Sequence, residues 1–142
     1  MKNNAKVKLM FDKYYLYVSY DSLKQLIINE LNRLAKETGY GIEHLKIEFK
    51  ENHKDNVIAF FHSRGDKAEG FCFHLNKFND TTANKVIDTC RHEFAHYVVF
   101  MSNKNRVAPH GKEWKSVCKK LGANPSPKMD ASRTKHIISS FT

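Results

Sequence analysis

The segment NDTTANKVIDTCRHEFAHYVVFMSNKN, residues 79–105, most constrains what this chain can fold into. An α-helix advances about 100° per residue. At that pitch Val86, Ile87, Cys90, Phe94, Tyr97, Val98 and Met101 fall on one stripe. His92 and His96 lie roughly opposite, about 40° apart and one turn along. Ala95, Val99 and Phe100 flank the histidines, so this is no simple surface helix. It has to pack on a core by one face and present its histidines into a cleft by the other. Asp80 or Thr81 can cap its start, and it is expected to end near Asn103.

Around this helix the pattern predicts an α+β fold. Leu23, Leu26, Ile27, Leu31 and Leu34 recur at helical spacing over residues 22–38. Ser22 with Gln25 suits a capping box, and Gly39 suits a left-handed stop. Three strands are expected next. Leu45, Ile47 and Phe49 alternate with polar residues, and Val57–His62 is a short apolar run read as a more buried strand. Phe71, Phe73 and Leu75 alternate with Cys72, His74 and Asn76, which puts His74 on the polar side of a strand read as the sheet edge. The loops ENHKDN and SRGDKAEG suit hairpins, so a small, mostly antiparallel three-stranded sheet is expected. A C-terminal helix follows in HGKEWKSVCKKLG, with Trp114, Val117, Cys118 and Leu121 on one face. Residues 1–20 and 123–142 carry the weakest pattern.

The 142 residues are read as one domain, 1–142. No stretch approaches the roughly 20 apolar residues of a membrane span, and the N-terminus is a poor signal peptide. A cytoplasmic monomer with no membrane partner is the expectation. Cys72, Cys90 and Cys118 never form a CxxC pair, which argues against a disulfide framework. The net charge of +9 is uneven: residues 104–142 hold nine Lys/Arg and two acids. Such an end is either a solvated basic surface or a phosphate-attracting one.

HEFAH fits the HExxH pattern, in which two histidines reach one zinc ion and the glutamate acts as general base. His92 and His96 are therefore candidate ligands and Glu93 the candidate base. The competing possibility is a chance match on a buried helix. A catalytic zinc takes three protein ligands and keeps one open position. The continuation HExxHxxGxxH fails here, because Val99 and Ser102 stand at its Gly and His positions. Glu113 and His110 remain as third ligands, with His136 a poorer candidate in the tail.

HEFAHYVVF followed by RVAPHGKEWK resembles the SprT-like zinc metallopeptidases, closely over His92–Trp114 and loosely through KKLGANPSP. The resemblance implies a zincin-like core and one catalytic Zn2+ held by His92, His96 and His110, with Glu93 as the base. Pro109 fixes its own φ just before His110, and Gly111 permits close backbone approach just after it. Glu113 then reads as a first-turn residue favoured by the helix dipole. The function implied is a zinc endopeptidase acting on protein or peptide. Eukaryotic members act on DNA-attached proteins, which implies DNA as a partner. Longer members continue into a cysteine-paired zinc ribbon, which these cysteines do not form. DNA contact would then fall to Lys112, Lys115, Lys119 and Lys120 on the last helix. The alternative is a non-enzymatic zinc-containing nucleic-acid-binding module. For an oxyanion partner, Tyr97 lies on the core stripe, which leaves His74 as a candidate.

Overall fold

A computed structural model describes residues 5–103 and 107–126. The elements run β1 (Lys6–Phe11), β2 (Tyr14–Ser19), α1 (Tyr20–Thr38), β3 (Lys46–Lys50), β4 (Ala59–Arg64), β5 (Lys67–His74), a 3-10 turn (Leu75–Phe78), β6 (Thr81–Thr82), α2 (Ala83–Asn103) and α3 (Lys112–Leu121). The described residues form an α+β arrangement of three α-helices and two small mixed sheets.

The expectation of one mostly antiparallel sheet is corrected in two ways. Residues 6–19 supply a hairpin, β1–β2, which β6 joins in parallel to give the order β2-β1-β6. The second sheet has the order β3-β5-β4, with β3 parallel to β5 and β4 antiparallel to it. Only SRGDKAEG is therefore a hairpin loop; ENHKDN carries the chain past β5. Gly70 is what lets β3 lie so close. A Cβ there would stand 2.1 Å from the Lys46 carbonyl oxygen.

β5 is thus central, not the edge, and it is the most buried strand. Cys72 and His74, assigned to a polar side, are as buried as Phe71 and Phe73. A strand flanked on both sides and covered on both faces hides its polar positions too. β4, expected to be the more buried strand, is one of the two outer ones.

The helices follow the sequence closely. Ser19 rather than Ser22 caps α1, its side chain accepting from the Ser22 N–H. The Thr82 hydroxyl accepts from the Lys85 N–H at the start of α2. Gly39 and Gly122 end α1 and α3 at φ 81° and 82°, left-handed values that cost glycine least. α2 runs through the middle: Val86, Cys90, Phe94 and Tyr97 pack in one cluster with Leu31, Phe71 and Trp114. Among the described residues no helix is long and apolar enough to cross a membrane.

Candidate metal centre

α2 places His92 and His96 one turn apart on the face turned to α3. The loop before α3 brings His110 up to them. His96 Nε2 and His110 Nε2 lie 3.2 Å apart. A tetrahedron of nitrogens about 2.0–2.1 Å from zinc has an edge of about 3.3 Å. The pair therefore has the spacing of two ligands of one ion. Trp114, one turn into α3, is the hub. Its ring lies 5.2 Å from His92, 5.3 Å from His96 and 4.7 Å from His110, centroid to centroid. Its indole N–H donates to the His92 carbonyl at 3.2 Å, fixing α3 to α2.

His92 is oriented differently from His96. Its Nε2 lies 2.5 Å from the Asn124 carbonyl oxygen and 3.2 Å from Asp88 Oδ2. Asp88 also accepts from the Asn124 N–H at 2.9 Å. A metal-bound histidine commonly gives its second ring N–H to a carboxylate or a carbonyl. The described residues hold no group of three His, Cys, Asp or Glu already closed on one point. Two of the three expected ligands are thus together, and the third shares their tryptophan while its Nε2 is engaged elsewhere. The chemistry of this donor set, imidazole nitrogen, is of the kind zinc takes, and the His96–His110 pair alone has its spacing.

Desolvation favours the neutral form of these imidazoles, the form that binds metal, although only His92 is buried, His96 being half-buried and His110 exposed. Desolvation, then His110 and His92, push the His96 pKa down to about 4. Desolvation also lowers His92, against the opposing pull of Asp88. His110, exposed beside Lys115, is lowered as well, chiefly by partial desolvation and then by that lysine.

Glu93 points into a cleft of about 430 Å³ that it shares with His96, His110 and the outer strand β4. Burial pushes its carboxyl up to about 8, and a hydrogen bond from the Phe61 backbone N–H pulls the other way. Apart from Ser63 the rest of the lining is apolar, with Phe60, Val99, Phe100 and Val107 on its walls. The strand beside the cleft is therefore β4. His74 is elsewhere, stacked 3.5 Å from His53 with its Nδ1 on the Val57 carbonyl, and it is dropped as an oxyanion partner. Tyr97 is buried among Phe61, Phe71 and Phe94, as its place on the stripe implied. Glu113 sits in the first turn of α3. Lys112, Lys115, Lys119 and Lys120 are exposed on α3. His136 lies outside the described residues.

Sequence reasoning missed Asp88 and Arg91. Asp88 precedes His92 by four residues, so a carboxylate on the histidine face was a readable signal. Arg91 is buried against Glu30 of α1 at 2.9 Å and donates to the Gly122 carbonyl at 2.9 Å. Nothing local marks that pairing, since its partners are 61 and 31 residues away.

No curated protein and no solved structure matches the chain. The SprT-like family model does, over residues 10–136, from the first hairpin to beyond the last helix. The match spans the HExxH helix, the Trp114 hub and the whole second sheet, and the chain belongs to the SprT-like family.

Proposed function

We propose that this protein is a zinc-dependent endopeptidase in which His92, His96 and His110 hold the metal and Glu93 is the general base. The observation that carries this reading is one cleft holding both the 3.2 Å His96–His110 pair and the buried Glu93 carboxylate. Membership of a family of metallopeptidase-like proteins is compatible with it. A bound zinc ion supplies Lewis-acid polarisation of the peptide carbonyl and lowers the pKa of a bound water.

The chain's own residues supply the rest. The Glu93 carboxylate takes a proton from the attacking water and returns it to the leaving amine nitrogen. Asp88 and the Asn124 carbonyl hold the His92 ring. β4 offers an extended peptide an edge to pair with, and the apolar walls take its side chains. Trp114 excludes water from the inner side of the histidines. Exposed Lys112, Lys115, Lys119 and Lys120 suit phosphate, which supports action on DNA-associated proteins.

The test is cleavage of an unstructured protein by the zinc-loaded chain, with and without single-stranded DNA. Glu93→Gln should keep the zinc and lose cleavage by about 10²–10⁴-fold, the usual weight of a general base. Equal cleavage by both proteins would refute the assignment. Tight binding of one zinc without any cleavage would favour a non-enzymatic zinc module. Cleavage indifferent to DNA would remove the DNA-linked part alone.

A further inference from the structure

We propose that the outward face of the N-terminal hairpin is a stacking platform for single-stranded nucleic acid. In β2, Tyr15 and Tyr17 are 50% and 69% exposed. Their cross-strand partners on β1 are Met10 and Lys8, and Lys6 faces Ser19. Residues directly opposite in a sheet share a face, so Lys6, Lys8, Tyr15 and Tyr17 all point the same way. Val7 and Leu9, between them, are buried in the core. Each lysine ammonium sits over the diagonal tyrosine. Lys6 Nζ is 5.0 Å from the Tyr17 ring centre and Lys8 Nζ 4.5 Å from that of Tyr15.

This alternation of ring and cation matches a polymer with one base and one phosphate per unit. Positions two apart on a strand are about 6.8 Å apart. That is twice the about 3.4 Å rise per nucleotide of a stacked strand, so each ring can take one base of a stretched single strand. Stacking on tyrosine requires an unpaired base, and lysines alongside meet the backbone. The hairpin is a different surface from the α3 lysines. It also shows an absence of guarding. β2 is an outer strand whose sequence, YYLYVS, has no charge and no proline. Folded proteins commonly protect such strands from unwanted pairing. Tyr14 and Leu16, 72% and 52% exposed, extend the uncovered surface to the other face.

The proposal stands apart from the peptidase reading, because binding can be measured on Glu93→Gln protein. Fluorescence anisotropy of a labelled 15-mer of thymidylate is the readout, with its duplex form as comparison. The full chain should prefer the single strand. Tyr15→Ser with Tyr17→Ser should weaken binding about tenfold or more, as the loss of two stacked bases predicts. Lys6→Gln with Lys8→Gln should weaken binding and flatten the dependence of log K on log salt by about 0.7 per lost phosphate contact. These four side chains are at the surface, and circular-dichroism melts should show unchanged folding.

Three results would overturn the proposal. In the first, binding is unaffected by the tyrosine pair yet abolished by neutralising Lys112, Lys115, Lys119 and Lys120. In the second, the chain pellets with phosphatidylserine vesicles and ignores the oligonucleotide. In the third, light scattering shows a dimer that Leu16→Lys dissociates, again without oligonucleotide binding, which would make β2 a contact between copies.

Discussion

Glu93 carries an unusual combination: a carboxyl group that is 4% exposed, in a largely apolar cleft, with the Phe61 backbone N–H as a hydrogen-bond partner. Burial raises its pKa from an ordinary 4.5 to about 8. The folded metal-free chain then binds more protons at this site than the unfolded chain between those two pH values. Stability contributed here is present below pH 4.5 and is lost as pH rises through about 8. Glu93→Gln removes the dependence. The metal-free variant should match the parent at pH 4 and exceed it at pH 9 by up to about 5 kcal/mol, the weight of about 3.5 pH units, measured by urea unfolding. A parent more stable than the variant at pH 9 would contradict the sign. Glu93 was legible as a candidate base from HExxH alone. The orientation of His92 was not, because it depends on Asn124, which follows it by 32 residues.

Each element around the centre is held by a long-range contact to α2. Arg91 is the clearest, with Arg91 and Glu30 side chains 3% and 2% exposed. This buried pair ties α1 to the residue preceding His92, and the Arg91–Gly122 bond ties in the end of α3. Removing one partner of a buried pair leaves an uncompensated charge and costs about 3–5 kcal/mol. Glu30→Ala should therefore lower the urea-unfolding free energy by about 3 kcal/mol. Arg33 also bonds Glu30 but is 40% exposed, and Arg33→Ala should cost less than about 1 kcal/mol. Comparable losses in the two variants would mean that the inner pair is not the one that matters. Helices were the most legible elements: all three appear where their apolar spacing put them. Strand pairing was less legible, since alternation in β3 and β5 says which residues turn inward but not which strand lies beside which.

At the scale of the whole molecule, the core and the three candidate ligands meet at Trp114, the only tryptophan. It is fully buried and touches all three histidines. Zinc that binds the folded chain alone stabilises it by RT ln(1 + [Zn]/Kd), about 4 kcal/mol at a thousandfold excess over Kd. Adding zinc to metal-free protein should raise the melting temperature and change Trp114 emission with one-to-one stoichiometry, and a chelator should reverse both. Replacing His110 with Ala should weaken both responses together. An emission change that survives His96→Ala with His110→Ala would place the ion elsewhere.

The sequence by itself determined the helices, the face of α2 that carries histidines, and the pairing of HEFAH with APHGKEW. These are local facts, set by a 3.6-residue period and by short spacing along the chain. Only the tertiary structure decided that β5 is central, that His74 is buried away from the cleft, and that β4 lines it. It alone decided that Asp88 and Asn124 claim one nitrogen of His92. Such outcomes depend on which distant segments meet, and a strand pattern of period two is the same for every neighbour it could have.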